Sequence, residues 1–282
     1  MLPIIDTHQH LWDLARFQMN WLTPGHPLEQ TFVPKDYAEA TAGLNVVKAV
    51  YMEVDVHVEQ QQAEADFIVG LCQAGTTPTV AAVVAGRPAD AGFRRYAAQF
   101  RDSPYVKGMR EVIHEARTPP GYCLRPEFIA GVRYLGEVGL TFDICIRSAE
   151  LPDAGRLIAA CPDTRFILDH CGNEPVPTKD HGRWQHDLEA LAAYRNLVCK
   201  VSGIVASAKK GMWSAQDLAP IVNHTLNVFG PDRVMFGGDW PVCTVAASYR
   251  DWVTALQAIV ASRPEEERRK LFHDNAARFY NI

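Results

Sequence analysis

The sequence lacks a basic excess and a long apolar run. Its 282 residues carry 28 Lys and Arg against 33 Asp and Glu, a formal net charge of -5. Nucleic-acid-binding surfaces are usually basic, so this balance disfavours a nucleic-acid partner. No stretch approaches the roughly 20 apolar residues of a membrane-spanning helix. Since residues 1–3 also lead into an apolar run without a basic segment, we expect a cytoplasmic protein that acts on a small molecule.

Paired cysteines are also missing, because the seven cysteines form no Cys-x-x-Cys motif. Several lie inside apolar runs, where free cysteine behaves as a small hydrophobe, so we expect structural thiols. Cys171 and Cys243 adjoin the motifs described below, and the sequence leaves their role open.

A Gly-rich phosphate turn after an early strand is absent, which disfavours a doubly wound nucleotide-binding fold. Instead, short β-rich runs alternate with helical patterns of about 11 to 16 residues. The predicted strands are Ile4 to Asp6, Val46 to Met52, Thr79 to Val84, Val106 to Met109, Thr141 to Ile146, Phe166 to Asp169, Val198 to Ser202 and Val234 to Gly237. Eight β/α units in a chain of this length predict a (β/α)8 TIM barrel. Because no linker is apparent, we expect one domain over residues 1–282.

Helical periodicity is clearest in five regions of the chain. The predicted helices cover Gln60 to Gln73, Pro126 to Val138, Leu151 to Ala160, Asp217 to Phe229 and a final pair across Tyr249 to Phe279. The longest segments without a clear pattern are Trp12 to Thr31 and Asn173 to Arg183, each directly after a predicted strand. Loops at the carboxyl ends of barrel strands build the active site, so both segments are expected there.

The first strand carries the pattern Asp6-x-His8-x-His10. Alternate residues of a strand lie roughly 6.5 to 7 Å apart on one side, so we expect these three side chains to point the same way. At that spacing the two imidazoles can converge on one cation. A solvated or hydrogen-bonded histidine pair explains the pattern equally well.

Polar residues close seven of the eight predicted strands. They are His8 and His10, Glu53 and Asp55, Arg110 and Glu111, Arg147, Asp169 to Asn173, Lys200 and Ser202, and Asp239. Each alone has a structural explanation as a helix cap or salt-bridge partner. Because strand ends of a barrel meet at one mouth, together they predict an active site.

Four segments carry a resemblance to a known family. They are residues 6–12 (DTHQHLW), 166–172 (FILDHCG), 199–203 (CKVSG) and 235–243 (MFGGDWPVC). They resemble the amidohydrolase superfamily, and more closely its amidohydrolase 2 branch of L-fuconolactonase-like sugar lactonases. The resemblance covers essentially the whole chain and implies a distorted TIM barrel. It also implies that His8, His10, His170 and Asp239 are the catalytic residues.

The resemblance fails where two-metal relatives carry a fifth-strand histidine and a bridging lysine, since residues 140–147 (LTFDICIR) and Arg110 supply neither. We therefore expect at most one divalent ion, with zinc the candidate and His8, His10 and Asp239 as its ligands. A metal-free site in which the histidines bind substrate also stays open.

Opening a lactone requires a base for water and a partner for the carbonyl oxygen. Asp239 is the candidate base, and His170 with Arg110, or a metal, is the candidate partner of the carbonyl. The remaining candidate contacts to substrate are Arg110, Arg147 and Lys200 for a carboxylate, Asn173 and Glu174 for hydroxyls, and Trp12, Trp21 and Trp240 for an apolar face. Glu53 is a further candidate contact.

The sequence favours a sugar-acid lactone of the L-fuconolactone or L-rhamnonolactone type as substrate. A pyrone or muconolactone carboxylate, zinc-dependent decarboxylation, and an inactive barrel that binds a sugar acid are the alternatives. Whether the protein forms a homo-oligomer stays open.

Overall fold

The computed structural model describes residues 2–282, and its centre is a barrel of eight parallel strands. They are β1 (Ile4–Gln9), β2 (Val46–Met52), β3 (Thr79–Ala85), β4 (Val106–Val112), β5 (Thr141–Cys145), β6 (Phe166–Leu168), β7 (Leu197–Val201) and β8 (Val234–Phe236). Each strand pairs in parallel with the next. The barrel closes just beyond β8, where Asp239 N donates to His8 O at 2.8 Å and His10 N donates to Trp240 O at 2.8 Å. The predicted TIM barrel is confirmed.

Ten α-helices connect or follow the strands in the described part of the chain. They are α1 (Pro34–Thr41), α2 (Gln61–Ala74), α3 (Phe93–Ala98), α4 (Pro126–Glu137), α5 (Leu151–Ala160), α6 (Gly182–Ala192), α7 (Ala215–Phe229), α8 (Tyr249–Ile259), α9 (Glu265–Arg269) and α10 (Asn275–Tyr280). The expected helices are present, but α1, α3 and α6 escaped prediction, and the final pair is three α-helices with a π-helical turn, Lys270–Asp274. No helix within residues 2–282 combines the length and apolarity needed to cross a lipid bilayer.

Strand residues alternate between two environments, as the pleat requires. In β2, Ala49 and Tyr51 pack with the helices in the large outer core, whereas Val50 and Met52 belong to a smaller separate cluster inside the barrel. The inner cluster is completed by residues of β1, β3 and β8 and is closed by two side chains of α10, Ala276 and Tyr280.

The same alternation places charged residues inside the barrel. Arg110 follows Met109, Asp143 lies between Phe142 and Ile144, and Lys200 lies between Cys199 and Val201, and all of these apolar neighbours belong to the outer core. Arg110, Asp143 and Lys200 therefore face the barrel interior, and each side chain is buried, with at most 4% of the residue exposed. A buried charge is tolerated only with a partner, so the barrel interior must contain an ionic network.

Strand β1 departs from simple alternation. Its pairing register with β2 shifts between Asp6 and Gln9, which marks a local irregularity of the bulge type. Asp6 consequently contacts Tyr37 of α1 and Tyr249 of α8, whereas His8 lies beside Arg110 and Asp169. Asp6 and His8 thus do not point the same way, contrary to the expectation from strand period, because the shifted register rotates the chain between them.

Candidate active site

Asp6 joins the two strands that carry the candidate catalytic residues. Its Oδ1 accepts hydrogen bonds from the backbone N of His8 at 2.9 Å and of Gly238 at 2.7 Å. Its Oδ2 accepts from the hydroxyls of Tyr37 at 2.8 Å and Tyr249 at 3.1 Å. The fully buried carboxylate therefore holds the end of β1 against the segment that leads to Asp239.

The four candidate catalytic side chains converge at this junction. His10 Nε2 lies 3.3 Å and His8 Nε2 lies 3.7 Å from Asp239 Oδ1. The ring centroids of His8 and His170 are 4.4 Å apart. The structure thus brings His8, His10, His170 and Asp239 into one site, although they come from three distant parts of the sequence.

Two histidines of the site are held through the Nδ1 atom. His10 Nδ1 lies 3.0 Å from the carbonyl oxygen of Met52, and His170 Nδ1 lies 2.9 Å from the Ser202 hydroxyl. Partners on one nitrogen fix the ring orientation and leave Nε2 for chemistry. His8 Nδ1 lies 3.6 Å from Asp169 Oδ1, beyond hydrogen-bond distance, and is a buried atom without a hydrogen-bond partner.

His170 adopts a backbone conformation that its neighbours must accommodate. Its φ is +55°, in the left-handed region that residues other than glycine seldom occupy. Gly203 lies directly against its ring, and a Cβ at Gly203 would overlap the imidazole. The short turn after β6 and the glycine after β7 together aim His170 at the site.

Arg110 is clamped in place beside His8. Its Nε donates to Glu53 Oε1 at 2.6 Å and its Nη2 donates to the Glu53 carbonyl at 2.8 Å. Its Nη1 lies 3.3 Å from Asp169 Oδ2 and 3.2 Å from His8 Nε2. With Asp169 beside Nδ1, this contact favours the neutral His8 tautomer with hydrogen on Nδ1. Burial is the main cause that lowers the pKa of His8 well below its usual value, and a low pKa is consistent with a neutral ring.

A fully buried ionic group lies beneath these residues. Lys200 Nζ lies 2.6 Å from Asp143 Oδ2 and 3.2 Å from Asp169 Oδ1. Burial raises the pKa of Asp143 to about 7 despite the neighbouring ammonium. For Asp169, burial acts to raise the pKa, but Lys200 and His8 outweigh it and hold the pKa well below the usual value. Asp169 is therefore an anion that links the lysine to His8.

The site opens into a cavity of about 440 Å³ at the mouth of the barrel. Its polar lining comprises His10, His26, Asp55, Arg110, His114, Glu115, Cys145, His170, Asn173, Ser207 and Asp239. Its apolar lining is Trp12, Trp21, Leu28, Val54, Val112, Gly203, Ala206, Val242 and Val245. A lining that combines polar and apolar groups suits a ring that has hydroxyl groups and C–H faces.

Four of the predicted substrate contacts, Arg110, Asn173, Trp12 and Trp21, line this cavity, whereas Glu53, Arg147, Glu174, Lys200 and Trp240 do not. Glu53 is used to hold Arg110, and Lys200 is fully buried against two carboxylates. Arg147 bonds instead to the carbonyls of Glu115 at 2.8 Å and Thr118 at 3.1 Å.

Trp240 is also buried elsewhere, with its ring centroid 5.4 Å from those of both Phe32 and Tyr37. Glu53, Arg147, Lys200 and Trp240 thus lie outside the cavity lining, and their side chains support the surrounding structure instead. Their position at strand ends was predicted, but side-chain partners decide whether a residue faces the cavity.

Several residues of the site escaped sequence reasoning. His26 lies in the loop after β1, and His114 and Glu115 follow β4 by two and three residues. His114 Nδ1 lies 3.1 Å from Cys145 Sγ, and burial lowers the pKa of His114 to about 4. Extending the search beyond the last strand residue would have found the His114-Glu115 pair, whereas nothing in the sequence marks His26.

Two groups of donors in this site could hold a divalent ion. The ligand atoms of His8, His170 and Asp239 all lie within 4.8 Å of one another, as do those of Cys145, Asp169 and His170. Because Asp169 is already paired with Lys200 and Arg110, the first group is the candidate metal site, whereas the sequence-based set contained His10 in place of His170. Two imidazoles and a carboxylate are a donor set that zinc accepts. The Nη1 atom of Arg110 lies 3.2 Å from His8 Nε2, and this cationic group opposes the binding of an ion at that nitrogen.

The comparisons with known proteins extend over nearly the whole chain. A family model described as "Amidohydrolase" matches residues 5–282. The chain is 29% identical over 291 residues to an L-fucono-1,5-lactonase of Burkholderia multivorans, covering 99% of this chain and 96% of that protein. It is 24% identical over 335 residues to an L-rhamnono-gamma-lactonase of Scheffersomyces stipitis, with coverages of 99% and 98%. The crystal structure of a Burkholderia multivorans amidohydrolase with bound zinc superposes with a TM-score of 0.88 at 25% identity and 99% coverage of both chains.

Proposed function

Because the chain belongs to the amidohydrolase family, we propose that its mouth cavity hydrolyses the ring ester of a sugar-acid lactone, with Asp239 as general base. The similar lactonases of Burkholderia multivorans and Scheffersomyces stipitis support a substrate of the L-fuconolactone or L-rhamnonolactone type.

The charge of the cavity is the observation that carries this choice of substrate. Arg110 is the only Lys or Arg among the described residues that line it, and Glu53 and Asp169 already neutralise its charge. The carboxylates of Glu115 and Asp239 share the same lining, as does that of Asp55, which is paired with Arg117 and Arg87. A dicarboxylated pyrone would meet net negative charge there, which favours an uncharged polyol lactone.

Asp239 is positioned to activate water. Its Oδ1 faces the Nε2 atoms of both His10 and His8, and the backbone N of Asp239 is bound to the His8 carbonyl. Asp239 takes a proton as the water oxygen bonds to the lactone carbonyl carbon. Collapse of the tetrahedral intermediate breaks the bond to the ring oxygen, which leaves with the proton that Asp239 returns. The product is the open hydroxy acid.

Negative charge develops on the carbonyl oxygen during attack, and Arg110 and His170 are the groups available to stabilise it. Burial is the main cause that lowers the pKa of His170, so the ring is neutral near pH 7. If Ser202 donates its hydroxyl hydrogen to Nδ1, the His170 Nε2 atom carries hydrogen and becomes a donor toward the oxyanion.

A single divalent ion, with zinc the candidate, would be held by His8, His170 and Asp239. It would supply Lewis-acid polarisation of the carbonyl in place of the His170 N–H group, because an Nε2 atom that ligates an ion carries no hydrogen. Whether or not an ion is bound, the walls orient the ring. Asn173 and Glu115 offer polar groups to hydroxyls, and Trp21 offers an apolar face.

A pH-indicator assay with and without a chelator tests the proposal. The panel contains neutral 1,4- and 1,5-aldonolactones, 2-pyrone-4,6-dicarboxylate and muconolactone, and aromatic acids with carbon dioxide release as the readout. We expect acid release from at least one aldonolactone and none from the dicarboxylate. Turnover of the dicarboxylate alone, or decarboxylation alone, would replace the sugar-lactone assignment.

A further inference from the structure

A second, larger cavity lies beside the catalytic one. Its volume is about 670 Å³, and it is open to solvent on the same face of the barrel. It is lined by Asn20, Asp55, His57, Val58, Glu59, Arg87, Glu111, Val112, Arg117 and Thr118. Asp55 and Val112 line both cavities, so they form the wall that the two cavities share.

The shared wall is firmly held. Asp55 forms ion pairs with Arg117 and, at 3.6 Å, with Arg87. Its backbone N donates to Glu53 Oε2 at 2.7 Å, so the same glutamate orients both Arg110 and the wall. The boundary between the two cavities is therefore fixed by ion pairs and a hydrogen bond, and the second cavity begins directly beyond Asp55 and Val112.

The chain segment after β1 borders this second cavity and is itself pinned. His57 N donates to the Gln18 carbonyl at 2.8 Å, and Gln18 N donates to Gln60 Oε1 at 2.7 Å. Asn20 follows two residues later and contributes to the lining. The segment from Gln18 to Asn20 is thus held at the cavity by hydrogen bonds.

The chemistry of the lining fits an uncharged polyhydroxylated group. Two guanidinium groups, of Arg87 and Arg117, are balanced by the carboxyl groups of Asp55, Glu59 and Glu111. Sugar hydroxyls both donate and accept, so they match a surface on which fixed donors and acceptors alternate. Val58, 49% exposed, adds an apolar patch for C–H groups.

We propose that this second cavity binds a further sugar unit attached to the lactone, so that the protein acts on glycosylated aldonolactones in preference to the parent monosaccharide lactones. The inference rests on the proposed lactonase function and adds a substrate class to it. The glycosidic bond stays intact, and only the ring ester is opened at Asp239. Binding of the remote sugar supplies the preference, because contacts far from the reacting bond can increase kcat/KM.

The test compares matched substrates. Each aldonolactone that the screen identifies is assayed beside its counterparts carrying a glycosyl group on a free hydroxyl, namely O2, and O4 of a 1,5-lactone or O5 of a 1,4-lactone. We expect at least one glycosylated lactone to exceed its parent in kcat/KM by about tenfold or more. If parent lactones are hydrolysed and every glycosylated counterpart is equal or slower, the second cavity is not a substrate subsite. If neither group is hydrolysed, the lactonase assignment fails first.

Variants of the second cavity locate the effect. Arg117→Met should remove most of the preference for the glycosylated lactone, measured as the ratio of its kcat/KM to that of the parent. His57→Ala, which lines the second cavity alone, should do the same while the parent lactone keeps its kcat/KM to within about twofold. Arg156→Met is the matched control, since Arg156 is an exposed arginine paired with Asp153 outside both cavities. Retention of the full preference in both cavity variants would overturn the assignment.

Discussion

The inside of the barrel contains two regions of opposite character. One is an apolar cluster to which the strands contribute Ile5, Val50, Met52, Ala81, Val83 and Met235. The other is a charge cluster of Glu53, Arg110, Asp143, Asp169 and Lys200, linked by ion pairs of 2.6 to 3.3 Å. Both clusters face the inside of the barrel, yet the first is held together by apolar packing and the second by ion pairs.

The difference shows that the charge cluster tolerates substitution less well than the apolar cluster does. Apolar residues of similar volume can replace one another in a packed cluster at a cost of less than about 1.5 kcal/mol. A buried charge that loses its partner costs about 3–5 kcal/mol, although intact buried pairs contribute little net stability. We infer that the charge cluster orients His8 and Arg110 rather than stabilising the fold.

Lys200→Met tests the contrast with the largest expected effect. The variant leaves Asp143 and Asp169 without their ammonium partner, so the free energy of unfolding should fall by about 3–5 kcal/mol at pH 7. Urea denaturation measures it. The control is Met235→Leu at the paired position of β8, which should cost less than about 1.5 kcal/mol. Similar losses in the two variants would remove the distinction between the regions.

Glu64 extends the contrast to a buried carboxyl without a cation partner. Burial raises its pKa from 4.5 to about 8 in the folded protein, and Oε2 has no hydrogen-bond partner. A raised folded-state pKa adds stability that is complete below pH 4.5 and is lost as the pH rises toward about 8. Glu64→Gln should remove this loss, of about 2–5 kcal/mol.

Chemical denaturation of the wild type and Glu64→Gln at several pH values between 4.5 and 8 measures the Glu64 contribution. The difference between the two curves isolates Glu64 from the other titrating groups. Parallel curves over this range would show that the Glu64 pKa is not raised in the folded protein.

Asp239→Asn separates chemistry from structure at the edge of the charge cluster. The change preserves shape but removes the base, so kcat should fall by at least about 100-fold while KM moves little. The free energy of unfolding should change far less than in Lys200→Met. Steady-state kinetics on the best lactone and urea denaturation measure the two effects. Near-normal turnover would transfer the role of base to His170.

Arg110→Gln probes how the charge cluster limits metal binding, with the smallest expected effect. It removes a cation and an N–H group that lies 3.2 Å from His8 Nε2, so affinity for zinc should rise by about tenfold or more. Competition with a chromophoric chelator measures zinc affinity directly, without an activity assay. Arg156→Met is again the control. Unchanged affinity in Arg110→Gln would mean that the guanidinium does not compete with the ion.

The sequence by itself determined the fold and predicted most of the candidate site. The β-rich runs are bounded by Gly and Pro and separated by helical periods, and all eight strands appear where they were predicted. Short helices such as α3, with six residues, contain too few turns to produce a periodic signal. The strand-end positions of the His-x-His pair, His170 and Asp239 predicted that these residues meet at the mouth of a barrel, and the resemblance to the amidohydrolase superfamily implied their catalytic role.

Only the tertiary structure decided which polar residues face the cavity and which support it. Lys200 lies near the end of β7 and Asn173 lies after β6, yet Lys200 is paired with two carboxylates and Asn173 lines the cavity. The register shift in β1 turned Asp6 away from His8, and strand period alone cannot reveal such a shift. Sequence position fixes the end of the barrel at which a side chain lies. The direction of that side chain, and whether its charge is already paired, depend on residues that are distant along the chain. These residues become neighbours only when the barrel closes.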